Sequence, residues 1–350
     1  MIHRFAGAVL GLALLSLAVQ PAMAKAAAPK APVAGKAGPQ ITVQHIKVHG
    51  ASLEGNLEGN AVDRDVIVVL PPSYATSKAR RYPVLYFLHG FVLTAQSFSD
   101  FMHVPEAAAT SAAHGAEFII VVPDADTRQG GAMYSSSVTT GDFESFIAKD
   151  LVTYIDGHYR TLAKRESRGL VGHSMGGYGV WKIAMKYPKM WSSIYAMSAC
   201  CVSPRTEKLE DAKKISEVPF EASAKADFGT RAALASAVAW SPAPDKPPYY
   251  ADFAYKDGAI DQNVLAEWAA NAPLAMVPQY VPALKSFNAI AIDVGDKDGL
   301  IGDDTAIHNE LTRFGVKHQF EVYDGNHFDH IMVRFPVKVL PFFAQHLVMK

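Results

Sequence analysis

Residues 169–178 read Gly-Leu-Val-Gly-His-Ser-Met-Gly-Gly-Tyr, and this stretch decides the fold. Leu170-Val171 is typical of a short buried strand, and a helical segment follows from Met175. Between them, residues 172–176 match G-x-S-x-G, the pattern of a sharp turn that carries a serine from a strand into a helix. Because the turn is tight, its flanking side chains must be small, and glycine meets that need. Ser174 is therefore a candidate nucleophile; the alternative is a glycine-rich turn with an incidental serine.

The same turn predicts where negative charge could be stabilised. At the start of the helix, the Met175 N–H and the helix dipole face the space beside Ser174. A second donor is expected from the loop after the third strand, where Leu88-His89-Gly90-Phe91 stands. We therefore predict an oxyanion hole made by the backbone N–H groups of Phe91 and Met175. A simple glycine turn at Gly90 is the alternative.

Two partners for the serine follow later in the chain, each after an apolar strand-like run. Asp298 ends the stretch Gly295-Asp296-Lys297-Asp298, and His327 ends Asp324-Gly325-Asn326-His327. The order serine, acid, histidine is that of the α/β-hydrolases and differs from the chymotrypsin and subtilisin orders. Asp298 and His327 are thus predicted to complete a catalytic triad with Ser174. Asp296 is the alternative acid, whereas Asp293 lies inside the strand, where the pleat fixes its side chain.

Strand-like and helix-like runs alternate along most of the chain. Apolar runs predict strands, and apolar residues at helical spacing predict helices at 143–155 and 307–314, the latter stopped by Gly315. This alternation predicts an α/β protein with a mostly parallel central sheet and helices on both faces. Residues 41–48 are expected to form a half-buried strand with a bulge. The other predicted strands are 66–70, 82–88, 118–122, 170–171, 194–197, 290–294 and 320–323.

The stretch from Val202 to Asn288 interrupts this alternation. A connection of that length is usually functional, and a cap over a site is its usual form. Its aromatic residues, Trp240 with Tyr249, Tyr250 and Phe253, would supply an apolar surface. We expect this insertion to select the substrate, with Trp240 as a candidate substrate contact. A passive packing insert is the alternative.

The N-terminus has the order of a secretory signal. A positive charge at Arg4 precedes an apolar run from Phe5 to Val19, and Ala22-Met23-Ala24 forms a small-x-small cleavage site. The run is shorter than the roughly 20 residues that a membrane span needs. Residues 1–24 are therefore predicted to be a cleaved signal peptide, 25–40 a flexible leader, and 41–350 the catalytic domain. The protein is expected to be secreted or periplasmic, with no membrane span after cleavage.

Composition excludes several classes of function. The 350 residues are 49% hydrophobic and 19% charged, with a net charge of −1. This balance gives no electrostatic footprint for nucleic acid or an anionic membrane. No glycine-rich phosphate loop is present, so no nucleotide cofactor is predicted.

The metal-ligand patterns are equally weak. The acidic residues of 293–304 lack carboxylates at the first and last positions of a calcium loop. A site at His327, Asp329 and His330 is not needed for the predicted chemistry, so no metal is predicted. Cys200 and Cys201 are adjacent, and two thiols are expected there rather than a strained vicinal disulfide.

Together these motifs resemble the putative-esterase family of α/β-hydrolases, which includes S-formylglutathione hydrolases, feruloyl esterases, siderophore esterases and mycolyl-transferring antigens. The resemblance covers about 66–347 and rests on 88–90, 122–124, 172–177, 295–298 and 325–327. It implies a serine esterase that uses Ser174, Asp298 and His327. Met133-Tyr134-Ser135 is similar to the segment that lines the site in the family, so Tyr134 is a candidate substrate contact. The insertion departs from the smaller members.

The leading hypothesis is an exported serine carboxylesterase that cleaves a small-molecule ester through an acyl-enzyme intermediate. An acyltransferase would form the same intermediate and pass the acyl group to an acceptor other than water. A non-catalytic binding protein on the same fold would not need the triad. The sequence leaves the natural ester and the oligomeric state open.

Overall fold

The computed structural model describes residues 40–350, which are built around one eight-stranded sheet. The predicted signal peptide, and the predicted leader apart from Gln40, lie outside the described residues. The strands are β1 (Thr42–His49), β2 (Asp63–Leu70), β3 (Val84–Leu88), β4 (Ile119–Pro123), β5 (Arg168–His173), β6 (Ser193–Met197), β7 (Ala289–Gly295) and β8 (Gln319–Tyr323). Their order across the sheet is β1-β2-β4-β3-β5-β6-β7-β8.

Five of the seven strand pairings are parallel, so the prediction of a mostly parallel sheet is confirmed. The two antiparallel pairings, β1 with β2 and β2 with β4, lie at one edge. The predicted bulge in β1 is wrong, because Thr42 to His49 pair one-to-one with Leu70 to Asp63 without a break. The strand is mostly exposed, as an edge strand can be, and this explains its irregular apolar pattern.

Helices cover both faces of the sheet. They are α1 (Ala95–Phe101), α2 (Val104–Ala113), α3 (143–158, with π-helical turns at Phe146–Leu151), α4 (Met175–Lys186), α5 (Leu209–Ser216), α6 (Phe220–Ser223), α7 (Phe228–Trp240), α8 (Gln262–Ala270), α9 (Pro273–Lys285), α10 (Ile301–Arg313) and α11 (331–346, with a π-helical segment at Phe335–Val339). Gly315 ends α10 with a φ of +63°, as the sequence predicted.

Alternating residues of the central strands pack into two separate cores. In β3, Val84, Tyr86 and Leu88 face one core, which α3, α4, α9 and α10 cover. Leu85 and Phe87 face the other core, which α1, α2 and α11 cover. Because a strand alternates its side chains between faces, a strand buried on both sides must be apolar throughout. This is why the central strands appear in the sequence as continuous apolar runs.

The long segment between β6 and β7 contains five helices, α5 to α9. The last of them, α9, packs against α4 and α10 beside the sheet. It is therefore the crossover helix that joins β6 to β7, two consecutive strands that pair in parallel. Residues 202–272 form the segment that has no counterpart in the regular strand–helix alternation, and they are called the insertion below.

None of the helices within residues 40–350 combines the length and the apolar character that crossing a lipid bilayer would demand.

Candidate active site

Ser174 lies at the apex of the turn between β5 and α4, with φ of 58° and ψ of −117°. L-residues rarely adopt such a backbone, and it persists only where the surroundings enforce it. Two glycines permit the turn. A Cβ on Gly172 would lie 2.3 Å from the backbone of Gly176, and a Cβ on Gly176 would lie 2.0 Å from the Leu88 carbonyl oxygen. The predicted requirement for small residues thus has a direct steric cause.

The structure brings the three predicted triad residues into one hydrogen-bonded chain. His327 Nε2 lies 3.0 Å from Ser174 Oγ, and His327 Nδ1 lies 2.8 Å from Asp298 Oδ2. A carboxylate only accepts hydrogen bonds, so the proton is assigned to Nδ1, and Nε2 is free to accept from the serine hydroxyl. This is the arrangement in which a histidine can take a proton from a serine.

Asp298 is kept ionised although it is only 4% exposed. Burial by itself would raise its pKa, but hydrogen bonds from His327 and from the Leu300 N–H outweigh burial and hold the pKa below its ordinary value. The carboxylate can therefore stabilise positive charge on the imidazole.

The other two aspartates of this strand end have different partners. Asp296 accepts a hydrogen bond of 2.9 Å from the Gly325 N–H and so supports the backbone of the histidine loop. Asp293 is buried and paired with Arg334 at 2.8 Å. Of the three aspartates, Asp298 is the one that reaches His327.

The acid loop and the histidine loop meet by close backbone contact. A Cβ on Gly295 would lie 2.2 Å from the Gly325 carbonyl oxygen, so this position has no space for a side chain. The Asp296 N–H donates to the Tyr323 carbonyl, and the Lys297 N–H donates to the Gly325 carbonyl. From the sequence, Gly295 and Gly325 could be recognised only as turn residues. In the structure their close contact brings the loops of Asp298 and His327 together.

The predicted oxyanion donors stand beside Ser174. A Cβ built on Gly90 would lie 3.5 Å from Ser174 Cβ, so the loop after β3 lies against the serine. Phe91 and Met175 both line the cavity in front of it. The Met175 N–H is one of the first N–H groups of α4, which have no partner inside the helix.

His89 holds the loop that carries Phe91, a role that the sequence did not reveal. Its ring is fully buried; Nε2 accepts from the Ala125 N–H at 2.8 Å, so the proton lies on Nδ1. Nδ1 in turn donates to the Gly90 carbonyl at 2.8 Å. Because the Gly90 carbonyl and the Phe91 N–H belong to one planar peptide and point in opposite directions, this bond also orients the Phe91 N–H. Burial lowers the pKa of His89 and keeps the ring neutral.

His173, the residue between Gly172 and Ser174, also has a positioning role. It is buried and donates from Nε2 to the His327 carbonyl oxygen at 2.9 Å, which ties the histidine loop to the serine turn. Burial, together with the neighbouring His327, lowers the pKa of His173 to about 3. Its ring is therefore neutral at ordinary pH.

A cavity of about 250 Å³ opens in front of Ser174. It is lined mainly by apolar side chains, and Arg205 contributes a guanidinium group. From the insertion, Phe228, Ala232 and Ser236 line it at intervals of four residues, so they share one face of α7. The remaining lining residues are Phe91, Met133, Ser174, Met175, Cys200, Cys201, Leu300 and His327.

The two predicted substrate contacts do not line this cavity. Tyr134 is fully buried and its hydroxyl donates to the His89 carbonyl at 3.2 Å; its neighbour Met133 faces the cavity instead. Trp240 is 4% exposed and donates from Nε1 to Ser135 Oγ at 3.1 Å. Neither side chain lines this cavity, and their roles as substrate contacts stay predictions. Tyr134 was predicted from the family resemblance and Trp240 from the aromatic residues of the insertion, but in each case the polar atom of the side chain joins two parts of the core.

Cys200 and Cys201 are free thiols in the cavity wall. Within residues 40–350, no three His, Cys, Asp or Glu side chains are grouped so that they could hold a metal ion.

The eight-stranded sheet, the serine turn and the three side chains at the ends of β5, β7 and β8 define an α/β-hydrolase. A solved ferulic acid esterase shares this fold, with a TM-score of 0.64 at 25% identity over 88% of this chain and 99% of that one.

The family is shown by a family model, described as "Putative esterase", that matches residues 61–331. The chain belongs to this family. It is 38% identical to an esterase of Mycobacterium tuberculosis over 130 residues, which are 35% of this chain and 26% of that one. It is 28% identical to S-formylglutathione hydrolase of Bos taurus over 153 residues, 38% of this chain and 51% of that one. These matches thus span between a quarter and a half of the length of the relatives.

Proposed function

We propose that this protein is an exported serine carboxylesterase that hydrolyses acyl esters through an acyl-enzyme intermediate. The observation that carries the proposal is the chain of hydrogen bonds from Ser174 Oγ through His327 to Asp298, located where α4 begins. Membership of the putative-esterase family supports the same class of reaction.

In the proposed first half-reaction, Ser174 Oγ attacks the ester carbonyl carbon while His327 Nε2 takes the hydroxyl proton. Asp298 stabilises the imidazolium that forms. Charge that develops on the carbonyl oxygen is stabilised by the N–H groups of Phe91 and Met175. His327 then gives its proton to the leaving alkoxide oxygen, and the acyl group stays on Ser174.

In the second half-reaction, His327 takes a proton from a water molecule, whose oxygen attacks the acyl carbonyl. The tetrahedral intermediate again places its charge toward Phe91 and Met175. Its collapse releases the carboxylic acid and returns the proton to Ser174 Oγ. Every proton is carried by His327, so the reaction needs no metal ion or cofactor.

The cavity supports an apolar acyl group as the substrate part bound beside Ser174. Phe91 and Phe228 meet edge to face at a centroid distance of 5.4 Å, and Met133 and Met175 add polarisable sulfur. Arg205 donates to Ser236 Oγ at 2.7 Å and pairs with Glu207, but a guanidinium has five N–H donors. A flat acyl group with an oxygen substituent fits this lining, and a ferulic acid esterase of similar fold is consistent with it.

Export is proposed from the first 24 residues, whose positive, apolar and small-residue regions follow the order of a signal peptide. Expression of the full chain in a bacterial host, followed by N-terminal sequencing of the exported protein, tests this. A mature chain that begins at Lys25 is expected. A chain that retains Met1 would contradict it.

A fluorophosphonate probe tests the catalytic proposal. Wild-type protein should form a covalent adduct at Ser174, located by peptide mass spectrometry, and Ser174→Ala should form none. Product analysis of a p-nitrophenyl ester then identifies the acceptor. Free acid as the main product in the presence of added alcohols supports a hydrolase, whereas transfer of the acyl group to the alcohol would make the protein an acyltransferase.

A further inference from the structure

Two adjacent cysteines form part of the cavity wall beside Ser174. Cys200 and Cys201 lie three and four residues after the end of β6, and the Cys200 N–H donates to the Ser174 carbonyl oxygen at 3.1 Å. The Ala199 N–H bonds to Asp304 and the Val202 N–H to Asp303, so the turn is held on both sides of the pair. Proposed catalysis uses neither thiol.

The surroundings of the pair favour thiol reactivity. Both residues are partly exposed and line the cavity. A hydrogen bond from Cys200 is the main cause that lowers the pKa of the Cys201 thiol; burial and the charge of Asp303 oppose it, and the charge of Arg205 adds to the lowering. The same hydrogen bond and burial hold the pKa of the Cys200 thiol well above its ordinary value, so Cys201 is the thiol that ionises first. A thiol with a cation beside it and access to solvent is the usual setting of a reactive cysteine.

We propose that Cys200 and Cys201 form a reactive dithiol site that small organic disulfides oxidise to a vicinal disulfide, and that this bond reshapes the acyl cavity. Cys201 is the attacking thiol and Cys200 the resolving one.

The proposed oxidation proceeds by two thiol–disulfide exchanges. The Cys201 thiolate attacks one sulfur of a disulfide RSSR, forming a mixed disulfide and releasing RS⁻. In the mixed disulfide Cys201 is no longer a thiolate, so the hydrogen bond that raises the pKa of Cys200 is lost. Cys200 then gives its proton to the released RS⁻ and attacks Cys201 Sγ, forming the bond between the two cysteines and releasing the second RS⁻. The protein loses two electrons and two protons, and RSSR gains them to become two RSH.

Geometry explains why the bond would be easily reduced and why it would move the cavity wall. Adjacent Cα atoms across a trans peptide are about 3.8 Å apart, which is shorter than the 4.4–6.8 Å found in most disulfides. The bond is therefore strained, and strained disulfides are readily reduced. Cys201 already has a φ of +59°, so its backbone has little freedom to absorb the strain without displacing the turn. The turn bonds to Ser174 and lines the cavity, so its displacement changes the site.

The experiment treats reduced full-length or mature protein with 2-hydroxyethyl disulfide, which does not oxidise the cavity methionines. Peptide mass spectrometry should show the peptide with both cysteines lighter by two hydrogens, and a phosphine reductant should restore it. Oxidation should reduce cleavage of a butyryl ester about tenfold or more, the scale of one methylene in an apolar pocket, and affect an acetyl ester less.

Cys200→Ser and Cys201→Ser are the controls, each compared with its own reduced form. Neither can close the ring, so Cys200→Ser should stop at the mixed disulfide on Cys201, and Cys201→Ser should react more slowly. The dithiol site is overturned if wild-type protein gives only mixed disulfides, or reacts only after denaturation.

The effect on ester cleavage rests on the proposed function, but the mass measurement does not. A ring that forms without changing butyryl ester cleavage would overturn the reshaping of the cavity. A reduced protein with no esterase activity that still forms the ring would contradict the proposed function and leave the dithiol site supported.

Discussion

The carboxyl ends of the central strands, where Ser174, Asp298 and His327 lie, are called the catalytic edge here. This catalytic edge and the insertion that closes the cavity are built in different ways. At the catalytic edge, backbone meets backbone: Gly176 packs on the Leu88 carbonyl and Gly295 on the Gly325 carbonyl, with no space for a Cβ. The insertion is attached by side chains, such as Trp240 to Ser135 and Tyr178 to the Asn271 carbonyl.

From this difference we infer that the catalytic edge determines the rate of the reaction and that the insertion determines which substrate is preferred. At the catalytic edge the contacts are between backbone atoms, which cannot change rotamer to relieve a clash. A substitution there therefore shifts the positions of the reacting atoms. Side-chain contacts can repack when one member changes, with smaller effects. We therefore expect substitutions at the catalytic edge to abolish or strongly reduce turnover, and substitutions in the cavity face of the insertion to change the ranking of substrates.

Ser174→Ala is expected to have the largest effect. It removes the nucleophile and should reduce turnover of a short-chain p-nitrophenyl ester by about 10⁴- to 10⁶-fold. The fold should persist, because the hydroxyl that is removed has a single hydrogen-bond partner among the described residues, His327. Circular dichroism with thermal unfolding checks the fold. Near-wild-type turnover in this variant would remove Ser174 as nucleophile.

Asp298→Asn should follow, with a loss of about 10⁴-fold, the size seen when a triad aspartate is replaced in a serine protease. The amide cannot stabilise the imidazolium and favours the wrong histidine tautomer. Asp296→Asn is the matched control: Asp296 accepts from the Gly325 N–H, which an Asn oxygen can also do, and His327 bonds to Asp298 instead, so the loss of activity should be small. A larger loss for Asp296→Asn than for Asp298→Asn would transfer the role of the acid.

His89→Leu tests whether the catalytic edge depends on groups that orient the backbone. It removes the bond to the Gly90 carbonyl, so the Phe91 N–H loses its fixed direction. One lost oxyanion donor costs about 10²- to 10³-fold in kcat, and a misdirected one should cost up to about 10²-fold, with little change in KM. Tyr134→Phe is the control, since it leaves both ring bonds of His89 in place. Equal kcat for His89→Leu and Tyr134→Phe would contradict the role.

Phe228→Ala tests the insertion. Phe228 lines the cavity and is 64% exposed, so its loss should not destabilise the protein greatly. We expect kcat/KM to fall about tenfold for an aromatic acyl ester and to change little for an acetyl ester. Phe253→Ala, in the same insertion but outside the cavity lining, is the control. An unchanged substrate ranking in Phe228→Ala would favour a passive insert.

The smallest effect at neutral pH is expected for His173→Gln, whose side-chain amide can still donate to the His327 carbonyl. The folded pKa of His173 is about 3 and the unfolded value is 6.5, so the unfolded state binds the proton more readily. Stability from this group is present above pH 6.5 and is lost as the pH falls toward 3, by about 1.4 kcal/mol per pH unit. Urea unfolding at pH 7 and at pH 4.5 should show a larger loss in wild type than in the variant. Equal losses would contradict a buried neutral His173.

The residues that the sequence could place are those whose signal is local. The apolar runs marked the strands because a strand buried on both faces has no polar position. The serine turn was visible because its glycines and its serine lie within five residues, and Gly172 is required by a contact with Gly176 in the same turn. The order of Ser174, Asp298 and His327 followed from their positions after separate strands of one parallel sheet.

The tertiary structure decided everything that depends on direction or on distant partners. It directed the His327 hydrogen bond to Asp298 rather than Asp296, turned Met133 and not Tyr134 toward the cavity, and placed the tip of Trp240 on Ser135. Neighbouring side chains such as those of Met133 and Tyr134 can point in opposite directions, and a shift of one residue exchanges them. The amino-acid composition of the segment is the same in both cases. The roles of His89 and His173 likewise depend on carbonyl groups, which every residue possesses and no sequence distinguishes.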